Sequence, residues 1–252
     1  MKPGLLLTLA FASSALASAP DWPQWRGPKS DGISPEKGLL KEWPSDGPPL
    51  AWRTKGLGSG MSSVSIANGR IYTIGKRNRD GAQGVFVTAL NLADGSEAWA
   101  TAITTGGGPN PNGTPTVDGR LLFAVGNNGD LACLESDTGK LVWKKSYPAD
   151  FGGKCMSGWG YSESPLVDGD RLFCLVGGPG SVVVAFDRHT GKELWKVIRP
   201  ADAREESLEA FSTPTPYKHA GQDLILITGG DCITGHDADT GRELWRWGTW
   251  NP

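Results

Sequence analysis

Apolar residues along this chain fall in short runs separated by turns rich in glycine, asparagine and aspartate. The runs Arg70 to Ile74, Arg120 to Val125, Arg171 to Val176 and Asp223 to Thr228 have strand length and β-branched content, and they lack the spacing of an amphipathic helix. A turn built on Asn68-Gly69, Asp118-Gly119, Asp168-Gly169 or Gly221 leads into each, and a first strand starts near Ser63, Thr114, Ser164 or Thr213. A third strand then runs into a second kind of turn, and a fourth carries a tryptophan. The pattern predicts an all-β chain of four successive units, each a meander of four short antiparallel strands. Leu50 to Thr54 adds a lone strand ahead of them, with Trp52 in the tryptophan position.

The second turn recurs in register. Counting from its glycine (Gly95, Gly139, Gly191 and Gly241), a small residue stands six positions earlier (Ala89, Cys133, Ala185, Gly235) and a carboxylate or amide four earlier (Asn91, Glu135, Asp187, Asp237). Tryptophan stands four positions later, at Trp99, Trp143, Trp195 and Trp245, so these rings are 44, 52 and 50 residues apart. Such a period marks a stacked or circular array in which no repeat buries its own apolar face. The acidic side chain supplies an acceptor for turn amides, and the glycine can take positive φ. The indole has the bulk to fill a gap between repeats and one N–H for a backbone carbonyl, so these tryptophans read as structural docking residues.

The copy Ala185-x-Asp187-x-x-Thr190-Gly191-Lys192-x-x-Trp195 resembles the tryptophan-docking motif of the quinoprotein-like (PQQ-like) β-propellers. The other copies depart from it at Asn91 and Asp94, at Cys133 and Glu135, and at Gly235 and Arg242. The resemblance covers residues 50–252 and implies a β-propeller of four-stranded antiparallel blades. A closed eight-bladed ring needs roughly 400 residues. Four blades would then be half of such a ring, completed by further sequence, the leading explanation, or by a second copy in a homodimer, unless the four blades close on themselves.

Composition and the N-terminus set the surroundings. Residues 1–17 pair Lys2 with an apolar run and small residues, the pattern of a cleaved secretory signal peptide, and the run is too short to span a bilayer. No cysteine precedes Cys133, which leaves no lipidation site, so a periplasmic or extracellular location is expected. Residues 18–49, with Trp22-Pro23-Gln24-Trp25-Arg26-Gly27, read as an irregular leader wrapped on the body, and this opening resembles that of many secreted members of the family. Net charge is −2 with both signs interspersed, which points away from nucleic acid. In an oxidising compartment Cys133, Cys155, Cys174 and Cys232 could form up to two bridges, and Cys133, at a small packed position, equally suits a buried thiol.

A meander sends turns between strands one and two, and between three and four, to one end of every blade. The longer, more varied connections go to the other: 56–62, 76–84, 104–113, 149–163, 177–181 and 200–212. That end is the expected recognition face. Its candidate ligand or partner residues are a basic cluster, Lys76, Arg77 and Arg79, and the group Trp159, Tyr161 and Glu163, although a solvated loop tip for the arginines and inter-blade packing for Trp159 and Tyr161 are the preferred reading. No catalytic, cofactor or metal residue emerges: the three histidines lack ligand spacing, and Asn78-Arg79-Asp80-Gly81 is a weak calcium-loop match that reads as a turn.

Two functions are compatible with this pattern. One is a non-catalytic propeller, BamB-like in architecture, that binds a protein, peptide or glycan through the long-loop face and uses no cofactor. The other, implied only by the resemblance, is a dehydrogenase of alcohols or sugars using pyrroloquinoline quinone with calcium. That class carries an adjacent cysteine pair, which this chain lacks. The first is the preferred reading.

Overall fold

A computed structural model describes residues 21–155, 158–198, 212–229 and 232–248. Residues 1–17, expected as a signal peptide, and most of the 200–212 connection lie outside the described residues.

Among the described residues, sixteen strands form four sheets, each a simple meander. Blade 1 comprises β1 (Ser65–Ala67), β2 (Arg70–Arg79), β3 (Ala82–Asn91) and β4 (Glu97–Thr105). Blade 2 comprises β5 (Thr116–Asp118), β6 (Leu121–Val125), β7 (Asp130–Glu135) and β8 (Leu141–Ser146). Blade 3 comprises β9 (Leu166–Asp168), β10 (Arg171–Gly178), β11 (Ser181–Asp187) and β12 (Glu193–Val197). Blade 4 comprises β13 (Thr215–His219), β14 (Gln222–Thr228), β15 (Ile233–Asp237) and β16 (Glu243–Trp247). A short helix, α1 (Tyr147–Phe151), comes after blade 2; Ser146 caps its start, and Gly152, at φ 67°, ends it.

The core lies between blades. Tyr72, Ile74 and Val87 of blade 1 pack on Val117, Leu122 and Leu134 of blade 2, while the adjacent Phe123 and Cys133 face Leu172, Val184 and Phe186 of blade 3. Phe173, Leu175 and Val183 in turn meet Ile225 and Ile227 of blade 4. Neighbouring residues of one strand thus serve two different interfaces, which is why the middle strands read as continuous apolar runs rather than as alternation. The chain is a four-bladed segment of a β-propeller.

Three expectations change. β2 does not stop near Ile74 but pairs with β3 as far as Arg79↔Ala82, so Lys76 to Gly84, expected as a loop, is mostly ladder around the Asp80-Gly81 turn. Backbone pairing continues there because Arg77 and Arg79 reach Glu97 on β4 and the Arg77 guanidinium lies over the Phe86 ring, so the polar hairpin is held against its own sheet. In the same way β10 extends to Gly178, leaving only Pro179-Gly180 as the turn. Leu50 to Thr54 is irregular rather than a strand, although Trp52 still takes a docking position on blade 1.

Candidate functional site

The repeated turns and tryptophans lock blade to blade. In blade 3 the Asp187 carboxylate accepts the backbone N–H groups of His189 and Thr190 and the Thr190 hydroxyl; these bonds hold its pKa below the usual carboxylate value. Asp237 does the same for Asp239 and Thr240, helped by Gln222. The four glycines sit at φ 69° to 72°. Each is covered by the indole of the preceding unit: Gly95 by Trp52, Gly139 by Trp99, Gly191 by Trp143 and Gly241 by Trp195. Each of those indoles also donates its N–H to a carbonyl three residues before that glycine. Trp52 reaches Leu92 at 3.0 Å, Trp99 Ser136 at 3.0 Å, Trp143 Arg188 at 3.0 Å and Trp195 Ala238 at 3.2 Å. Glycine is needed for two reasons, its φ and the ring lying where a Cβ would be. Trp245 has no such turn ahead of it among the described residues; it folds over Gly235 of its own blade and is 41% exposed.

A second inter-blade device runs along the axis. The hydroxyl of each unit's starting residue accepts the backbone N–H of the preceding unit's: Ser63 to Thr114 at 3.3 Å, Thr114 to Ser164 at 2.9 Å and Ser164 to Thr213 at 3.1 Å. Two residues on, the Ser65 hydroxyl donates to Pro115 O and that of Thr116 to Pro165 O. Its mark in the sequence is a hydroxyl at the start of each unit, followed two residues on by a second at Ser65, Thr116 and Thr215 but by Leu166 in blade 3; this marks a strand entry but does not name the bonding partner. Ion pairs add to these contacts, Arg188 with Asp118 and Arg171 with Asp239.

At the long-loop end the six candidates separate. Lys76 caps the connection from blade 1 to blade 2, its Nζ donating to Gly108 O at 2.6 Å. Arg77 and Arg79 both bind Glu97, at 3.1 and 2.5 Å, and Arg77 also donates to Gly56 O. The pair holds the Glu97 carboxyl below its ordinary pKa. Both guanidinium groups are therefore paired within blade 1, and Arg77 is largely buried. Tyr161 and Glu163 are in the core at 3% and 2% exposure, so Tyr161 packs between blades rather than lining an open face, and Glu163 leaves the candidate rim group. Tyr161 packs edge-on against Tyr147, and Glu163 accepts the Tyr147 hydroxyl and the Leu175 N–H, both at 2.5 Å. A carboxylate with two donors can be buried, and this one ties α1 to β10. Trp159 alone of that group stays at the surface, 61% exposed, on a loop held by Asn112 Nδ2 on its carbonyl and by Tyr161 N–H on Asn127 O.

Cys133 and Cys174 are buried thiols outside any disulfide, so the arrangement of two bridges does not form. Burial pushes the Cys133 thiol up to about 12 and raises Cys174 well above its ordinary value, beside Glu163 and Tyr147. No group of three or more His, Cys, Asp or Glu among the described residues could hold a metal ion, and Asn78 to Gly81 is the β2–β3 hairpin end. His236 is buried, with Nδ1 on Gly241 O and Nε2 on the Thr234 hydroxyl.

Four meandering blades pinned by indoles on the next blade's turn define a β-propeller of PQQ-like repeats. The chain belongs to the family described as outer membrane protein assembly factor BamB, whose profile matches residues 82–248. It is 28% identical to the outer membrane protein assembly factor BamB of Burkholderia pseudomallei over 138 residues, 52% of this chain and 30% of that one. Among solved structures, quinohemoprotein alcohol dehydrogenase from Comamonas testosteroni superposes with a TM-score of 0.68 at 15% identity, covering 93% of this chain and 43% of that one. BamB from Moraxella catarrhalis gives 0.54 at 17% identity, covering 78% and 54%. The chain thus spans about a third of the Burkholderia relative's length, and the likeness to the two structures is one of fold.

Proposed function

We propose that the protein is a non-catalytic scaffold of the cell envelope, periplasmic or extracellular, that binds another protein through its long-loop end. The observation that carries this is Trp159: a large ring held out at 61% exposure on a loop whose backbone is anchored from two neighbouring connections. Rigid exposed aromatics of this kind dominate protein interfaces, where truncation commonly costs about 2 kcal/mol. Membership in the BamB family supports the same reading.

The quinone reading fits the described residues poorly. The axial cavities are lined by Ser and Thr hydroxyls, Asn112, Met61, Trp25 and Arg26, with no Asp or Glu, whereas calcium is held by oxygen ligands that include carboxylates. No step through that cofactor is derived.

The test is site-specific photocrosslinking in the native host. A photoreactive residue at Trp159 should yield a discrete protein adduct, and one at Asp94, at the short-turn end, should not. Adducts at Asp94 alone would overturn the assignment of the binding face. Quinone- and calcium-dependent dye reduction with an alcohol or sugar would overturn the non-catalytic reading.

A further inference from the structure

The axis of the array holds a segment that partner binding at the rim does not use. β1 and β5 are the inner edges of their sheets, so at alternate residues their backbone groups point away from the blade. At Ile66 both groups are taken by the leader: Trp22 N–H donates to Ile66 O at 2.8 Å, and Ile66 N–H donates to Trp22 O at 2.9 Å. One blade on, at the equivalent residue Val117, the N–H donates to Pro23 O at 2.8 Å. Two consecutive leader residues therefore pair with two different blades.

The leader is shaped for this position. Gln24 Nε2 donates to Gly27 O and to the Ser30 hydroxyl, and Gly27 N–H returns to Gln24 O. The Trp22 ring lies against Gly27, at φ +81°, where a Cβ would stand 2.7 Å from the ring. Trp25 lines two axial cavities, of about 190 and 250 Å³, and Ser212 and Thr213 of blade 4 line both with it. Trp25 is 45% exposed. Ser30 and Gly32 bond back to Gln24, Gly27 and Arg26, and from Pro28 to Leu50 nearly every residue is exposed, so the segment is held on the blades by the pairing of Trp22 and Pro23 and by its own turn.

We propose that residues 22–27 are a resident plug of the axial channel, Trp22 and Pro23 adding to the edges of β1 and β5 and residues 24–27 closing in a turn, and that the groove beneath them is a recognition site for a peptide of the same chemistry: an aromatic-proline pair that extends the two edges, followed by a polar-aromatic turn. Main-chain pairing to exposed edges supplies affinity in such sites, and side-chain pockets supply selectivity. Because the plug is tethered, it competes at an effective concentration on the order of millimolar, so a partner must match its backbone pairing to displace it. The proposal is independent of Trp159, and its failure leaves the rim reading intact.

The experiment places a protease recognition sequence in the exposed segment between Lys37 and Leu40 of the full chain, so that the leader is cut only after folding. A labelled synthetic peptide spanning Asp21 to Gly32 is then added. The cut leader should co-elute with the body on size exclusion and exchange with the labelled peptide in a saturable way. A scrambled peptide should not bind, and the peptide carrying Gly27→Val should bind at least tenfold more weakly. The proposal is overturned if the peptide fails to bind after the leader departs or if scrambled peptide binds equally. It is also overturned if the cut leader stays and never exchanges under excess, which would make it an integral part of the core.

Discussion

At the scale of single residues, the glycine under each indole carries two constraints at once. Gly191 has φ 69°, and a Cβ there would stand 2.8 Å from the Trp143 ring. Gly191→Ala should therefore lower stability by about 1–3 kcal/mol. Chemical denaturation followed by tryptophan fluorescence measures it, and a change under a few tenths of a kcal/mol would mean the ring is not seated as described. His236 makes a pH prediction. Desolvation lowers its pKa below the ordinary 6.5, with the bond to Gly241 O opposing. The folded state thus prefers the neutral ring and the unfolded state binds the extra proton first. Stability should be full above pH 6.5 and decline as pH falls below it, levelling once the folded ring is itself protonated. His236→Gln should flatten that part of a stability-versus-pH curve.

At the scale of elements, Glu163 joins α1 to β10 by accepting from Tyr147 and Leu175. Glu163→Gln keeps size but replaces one acceptor oxygen with a donor that faces a donor, so about 1–3 kcal/mol of stability should be lost. Thermal unfolding would show it. An unchanged midpoint would move Glu163 out of the core and back toward the rim. The same residue shows what is hard to read from sequence. Trp159, Tyr161 and Glu163 alternate along one stretch, and alternation alone does not reveal which of them lie beneath a neighbouring helix. The extension of β2 to Arg79 is also hidden, because Lys76, Arg77 and Arg79 look like loop residues until Glu97 is brought beside two of them.

Across the whole molecule, a residue's worth depends on its place in the array. Trp143 has a blade on each side and its N–H is bonded, whereas Trp245 lies over its own sheet with no bonded N–H among the described residues. Trp143→Ala should cost about 3 kcal/mol, the lower end for a large ring, because Trp143 is partly buried. Trp245→Ala should cost well under half of that. Comparing the two by denaturation tests whether docking between blades, rather than the ring itself, supplies the stability. Equal losses would count against it.

The turns, the four-strand meander and the spacing of the glycines and tryptophans were determined by local chemistry. An acceptor side chain, a residue free to take positive φ and runs of strand length act over a few neighbouring residues, so the chain alone displays them. Which partner each indole meets, which of the rim residues are buried, that Arg77 and Arg79 share one carboxylate and that the leader lies along the axis were decided only in three dimensions. Those facts depend on groups roughly 20 to 95 residues apart in sequence being packed side by side, and burial or pairing at that range leaves no periodic mark on the chain.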